Sequence, residues 1–272
     1  MLDTIHLYTC YTLLFLAPIV FCVLHFGGQK AEYGRYSLRK AQGLLKPIVP
    51  GRADWFLHAT SLLSVYLVYT DDSNAPPPPS ANNNNANANK IVLGLFILHY
   101  LWRSIGFAMM VQNPKPMSIP LALSTSGFCL LNGWLQARTL LHHANLNHSS
   151  PTTSPYTLQF YIGIVLFFVG WLTNIHSDWI LIHLRSSPAD KGYYIPHGGM
   201  FQYVSGANFL GEIIEWIGFA VASNFALPCV TFSLFTFANL APRAYQHHQW
   251  YINKFKEEYQ TLNRKALIPY VW

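Results

Sequence analysis

An apolar stretch, "VSGANFLGEIIEWIGFA" at 204–220, carries Asn208, Glu212 and Glu215 at spacings of four and three. On a helix these intervals put all three on one face, while Phe209, Ile213 and Ile217 share another that reads as lipid-like. Comparable stripes recur in three other apolar segments: His99, Tyr100 and Arg103; Asn174, Ser177, Asp178 and Arg185; and Asn239, Arg243, His247 and Tyr251. Tyr100 and Arg103 are one α-helical turn apart, which predicts a phenol, a neutral acid, beside a fixed cation. An ionisable group in a spanning helix costs at least a few kcal/mol, so it marks a surface facing protein or water. Polar pairs can simply glue membrane helices. Stripes on several helices point instead to a buried polar cavity open to the cytosol.

The elements that must position these groups are membrane helices. Of 272 residues, 51% are hydrophobic and only 10% charged, against roughly 25% charged in a soluble domain. Seven apolar runs predict an all-α integral membrane protein of seven transmembrane helices: 8–26, 55–70, 91–111, 117–141, 158–182, 207–222 and 225–241. The second is short and threaded with Ser, Thr and His58. The first lacks the flanks of a cleaved signal peptide and reads as an anchor. Lys30, Arg35, Arg39, Lys40, Lys46 and Arg52 follow it, so that loop is expected in the cytosol, with a lumenal N-terminus and a cytosolic C-terminus. The sequon Asn147-His148-Ser149 then falls on the lumenal side.

One domain, 1–272, is expected, interrupted only by the Pro- and Asn-rich tract 71–90, which reads as a disordered lumenal loop. The net charge of +6 is accounted for by loops facing anionic lipid, so nucleic acid is not an expected partner, and a monomer is the expected state. Cys10, Cys22, Cys129 and Cys229 sit singly in apolar runs as core residues. His142 and His143 have no accompanying carboxylate or thiol and read as solvated loop residues, so no metal site is expected. His247 and His248 are adjacent and must point apart on a helix, one of them toward solvent. Neither nucleotide motif, G-x-G-x-x-G nor G-x-x-x-x-G-K-[ST], is present; a nucleotide must be held by another device.

Three blocks now become recognisable: "NIHSDWIL" at 174–181, "YYIPHGGMFQYVSGANFLGEIIEWIGFA" at 193–220 and "RKALIPYVW" at 264–272. In this order and spacing the chain resembles the steroid 5α-reductase family, and the likeness extends back through "LNGWLQ" at 131–136, "HYLWRS" at 99–104, "GRADWFL" at 51–57 and "YGRYS" at 33–37. The resemblance implies an endoplasmic-reticulum membrane enzyme that reduces the 4,5 double bond of a 3-oxo-4-ene steroid with NADPH. Hydride goes to C5, the C3 carbonyl oxygen is held by hydrogen-bond donors, and C4 is protonated afterwards. Tyr100 matches the family's catalytic tyrosine. Tyr33, Asn174, Asp178, Arg185, Tyr193, Asn208, Arg243, His247 and Tyr251 are the implied NADPH residues; Arg103, one turn after Tyr100, is expected either to serve the cofactor phosphates or to lower the phenol's pKa. Trp55, Glu212 and Trp216 are the implied steroid contacts, with Glu215 in support. The chemistry is sensible: guanidinium groups pair bidentately with phosphates, a carboxylate accepts from ribose hydroxyls, and Asn can hold a carboxamide.

The chain departs from the family pattern in helix two, where Ala59 stands in place of a glutamate two residues after "WFL". His58, about 100° away on a helix, is no simple substitute. Tyr194 replaces a basic or polar residue, and an arginine expected near Ser124 is missing. These departures keep two alternatives open: reduction of another lipid enone or enoyl substrate, of enoyl-CoA or polyprenal type, or a weakly active cofactor- and lipid-binding protein.

Overall fold

In a computed structural model of the chain, the described residues are 2–27, 47–71, 83–112, 114–143, 154–185 and 192–272. They form an all-helical protein with one short two-stranded ladder. In chain order the elements are α1 Leu2–His25, β1 Pro47–Val49, α2 Gly51–Leu57, α3 Thr60–Asp71, α4 Asn83–Leu101, a π-helical turn Trp102–Gly106, α5 Phe107–Met110 and β2 Met117–Ser118. There follow α6 Ile119–Arg138, a second π turn Thr139–His143, α7 Leu158–Ile182, a 3-10 turn Gly199–Gln202, α8 Ala207–Ala222, α9 Leu227–Phe255 and α10 Glu257–Gln260. Among the described residues three helical segments are long and apolar enough to cross a bilayer: Thr4–His25, Ala86–Met110 and Leu158–Ile182. Phe15, Val165 and Leu172 are exposed on them, at 71%, 61% and 57%. Apolar side chains presented outward in this way suit lipid rather than water.

Four expectations are corrected. The run 55–70 is two helices: the backbone turns at His58 and Ala59, so the His58 ring stacks on Trp55 at 5.4 Å. The tract 71–90 is not all loop. Asp71 closes α3 and α4 begins at Asn83, with Ala88 and Asn89 buried. His142 and His143 continue α6 as a π turn rather than entering a loop. Phe209 and Ile213 are buried in a core with Ala241 and Ala244 of α9 instead of facing lipid. The sequon at Asn147 and the loop residue Tyr33 lie outside the described residues.

The chain packs as two compact units. One comprises Met1–Ala31, Val165–Gly218 and Thr231–Trp272; the other comprises Glu32–Ile164 and Phe219–Val230. In the first, the core of α8 and α9 is closed by the chain's last residues: Lys265 pairs with Val204 in a parallel bridge, and Gly206 N–H donates to Ala266 O at 3.0 Å. In the second, α3 lies along α6. Gly133 has no side chain there, and a methyl would stand 2.4 Å from Ser61 O. Thr60, Ser61 and Ser64 donate from their hydroxyls to the backbone oxygens of Ser126, Cys129 and Leu130. Small residues and hydroxyls are what let apolar helices approach this closely.

Candidate active site

In the first unit, the polar stripe of α8 meets that of α7 because two glycines remove the side chains between them. A methyl on Gly170 would stand 2.2 Å from Glu215 N, and one on Gly211 would stand 2.4 Å from Asn174 N. At this crossing Asn174 Nδ2 donates to Asn208 O at 2.8 Å, and Asn208 Nδ2 donates to Asp178 Oδ1 at 3.2 Å. Asn174 and Asp178 are buried. In α8, Glu215 is fully buried and Glu212 half-buried; Trp216, 1% exposed, packs between Phe167 and Phe232.

The stripe on α9 reaches the next residue of α8. Arg243 donates to Asn239 Oδ1 at 3.2 Å, as the spacing of four requires, and its guanidinium lies over the Phe209 ring at 5.4 Å. His247 meets Phe209 edge-on. His248 points elsewhere, as adjacency demanded, but it does not face solvent: both imidazoles are half-buried. Before α8, Arg185 Nε donates to Gly192 O at 3.2 Å with its guanidinium over Tyr193, whose ring packs on Trp250. Tyr251 is buried and stacks on Tyr259.

A cluster not expected from the sequence secures the entrance to α8. Ser205 Oγ lies 2.6 Å from His248 Nδ1 and 2.5 Å from Tyr259 Oη. Arg264 donates to Pro196 O at 2.7 Å and stands over the Tyr259 ring. Burial, with Lys265 nearby, holds His248 below the ordinary imidazole value. Burial also raises the Tyr259 phenol, against the pull of the Ser205 hydroxyl and Arg264, and lowers Arg264. Ser205, His248 and Arg264 had no periodic pattern to reveal them, since their partners lie 43 to 68 residues away in sequence.

In the second unit, Tyr100 is 4% exposed on the inner stripe of α4, one turn after Phe96, with which its ring packs at 4.7 Å. Its hydroxyl oxygen accepts from Asn132 Nδ2 at 3.3 Å. Gln136 Nε2 donates to Asn132 Oδ1 at 3.1 Å and to Pro228 O at 3.0 Å, and Cys229 Sγ donates to Gln136 Oε1 at 3.2 Å. Asn132 and Gln136 are one turn apart within "LNGWLQ", where a polar pair in an apolar helix was the available signal.

The turn after Tyr100 is π-helical: Phe107 N–H reaches back five residues to Trp102 O. The extra residue rotates the following side chains relative to an α-helix. The Arg103 guanidinium lies over Trp55 at 4.7 Å and Phe107 at 5.0 Å. Trp55 and Phe107 thus form an aromatic seat for Arg103.

The family model of 3-oxo-5-alpha-steroid 4-dehydrogenase matches residues 115–272. The chain belongs to this family. It is 39% identical over 257 residues to 3-oxo-5-alpha-steroid 4-dehydrogenase 1 of Mus musculus, covering 94% of this chain and 93% of that one. The Homo sapiens protein of the same name is 40% identical over 240 residues, covering 88% and 86%. 3-oxo-5-alpha-steroid 4-dehydrogenase 2 of Mus musculus is 35% identical over 261 residues, covering 96% and 94%. The steroid 4-dehydrogenase family consists of oxidoreductases acting on CH–CH groups, and the polar arrays described above are this member's candidate machinery.

Proposed function

We propose that this protein reduces the 4,5 double bond of 3-oxo-4-ene steroids to 5α-steroids with NADPH. The observation that carries the reading is that a chain similar over most of its length to proteins named 3-oxo-5-alpha-steroid 4-dehydrogenase has both a buried phenol, Tyr100, and the Asn174–Asn208–Asp178 array. The donor set suits a dinucleotide phosphate. Arg185, Arg243 and Arg103 supply fork-shaped cations for phosphates; a guanidinium stacked on rings keeps its N–H groups at its edge, where a phosphate would be met. Asp178 would accept from ribose hydroxyls, Asn174 and Asn208 would hold the carboxamide end, and Tyr33, Tyr193, His247 and Tyr251 would complete the cofactor set. Trp55, Glu212 and Trp216 are assigned to the steroid.

NADPH, when bound, supplies the hydride that C5 receives. Tyr100 then provides the electrostatic stabilisation that remains. Charge moves from C5 through C4 to the C3 oxygen, and a hydroxyl aimed at that oxygen stabilises it before a proton reaches C4. We place residues 1–272 as one monomeric reductase in the endoplasmic-reticulum membrane, with seven spans, a lumenal N-terminus and a cytosolic C-terminus. Ala59, at the turn between α2 and α3, favours one second reading: with no carboxylate there, the substrate is a different lipid enone or enoyl compound, or the protein binds cofactor and lipid with little turnover.

Membranes containing the protein, incubated with NADPH and a 3-oxo-4-ene steroid, should yield the 5α product by mass spectrometry. NADPH binding without product would favour the second reading.

A further inference from the structure

Resting on Tyr100 as the ketone donor, we propose that Asn132 and Gln136 are positioning residues that fix the direction of the Tyr100 hydroxyl bond. The bond directions follow from one group that has no choice. Pro228 O is a carbonyl and can only accept, so the group of the Gln136 amide facing it at 3.0 Å must be the NH₂. Its second N–H goes to Asn132, so the atom of Asn132 at 3.1 Å must be the oxygen. The Cys229 thiol donating to the remaining Gln136 oxygen agrees with this orientation. With its oxygen committed to Gln136, Asn132 presents its NH₂ to Tyr100. An otherwise ambiguous amide orientation is thereby determined by chemistry.

The consequence for Tyr100 is directional. In the bond to Asn132 its oxygen is the acceptor, so its own hydrogen is not used there. A phenol held in this way is a donor, as a ketone oxygen requires. As negative charge passes toward the phenol oxygen, the Asn132 N–H is already in place to meet it, with no rearrangement at the moment of reaction. All four side chains are buried, at 4% for Tyr100, 2% for Asn132, 0% for Gln136 and 0% for Cys229. Water therefore does not compete strongly for these bonds. In a chain with Ala59 where a carboxylate was expected, the amide relay from α6 is an orienting device for the phenol.

The test is a double-mutant cycle on steroid turnover, with NADPH affinity measured alongside. Tyr100→Phe should lower kcat strongly. Asn132→Leu should lower kcat about 10- to 100-fold, the usual effect of losing a hydrogen bond to a charged group, with the Kd for NADPH unchanged. The double variant should be no slower than Tyr100→Phe alone, because Asn132 acts through the phenol. Asn132→Asp, of the same shape, gives the phenol an acceptor that turns its hydrogen inward, and should fall at least as far; it also serves if the leucine variant does not fold. A slow Tyr100→Phe beside a fully active Asn132 variant, or additive losses in the double variant, would overturn the positioning role and leave the proposed reaction standing. A Tyr100→Phe as fast as the parent would overturn both.

Discussion

Gly170 and Gly211 set the distance between α7 and α8, and through it the contact of Asn174 with Asn208. Neither glycine needs its conformational freedom. Each is required because the facing backbone occupies the place of a Cβ. Gly170→Ala and Gly211→Ala should each destabilise the protein by about 1–3 kcal/mol, as over-packed contacts do. They should also weaken NADPH binding together with stability. Thermal unfolding in detergent and NADPH titration measure the two effects; an alanine variant with parental melting and affinity would show that the helices can part without consequence.

Asn208 can be tested without moving the helices. Asn208→Ala removes the donor to Asp178 and leaves the Asn208 backbone oxygen that Asn174 reaches. Loss of this donor to a buried carboxylate should reduce NADPH affinity about 10-fold or more, given about 1–3 kcal/mol for a hydrogen bond to a charged group. Melting temperature should change less than for the glycine variants. Isothermal titration of the cofactor would measure it.

The cluster at Ser205 predicts a pH response. His248 titrates below its unfolded value of about 6.5 because burial and Lys265 disfavour the cation. Tyr259 and Arg264 of the same cluster remain uncharged and charged respectively in this range. An imidazole with a depressed folded value leaves stability intact above the unfolded value and reduces it as pH falls toward the folded one. Melting temperature should therefore drop on acidification below pH of about 6.5, and less steeply in His248→Gln. Parallel curves for parent and variant would remove His248 from the response.

The parts of this arrangement that follow helical period were legible from the residues alone. The apolar runs fall on helices, Arg243 finds Asn239 four residues back, and the stripe containing Asn208 turns inward. What was not legible depends on local backbone winding or distant partners. A π turn and an α turn share the same apolar pattern, so the contact of Arg103 with Trp55 left no trace in spacing. The break at His58 and Ala59 carries neither Gly nor Pro to announce it. Asn132 was visible as a polar residue in an apolar helix, but its role required knowing that Tyr100 lies opposite and that Pro228 O orients Gln136.

The central claim is that Tyr100 stabilises the oxygen of an enone while hydride is delivered from NADPH. Its most direct test is the single-turnover rate of 5α-steroid formation by the purified protein saturated with NADPH, for the parent and Tyr100→Phe. The parent should form product and the variant should be slower by about 100-fold or more, the usual effect of removing one such donor, with NADPH affinity retained. Equal rates in the two proteins would contradict the account.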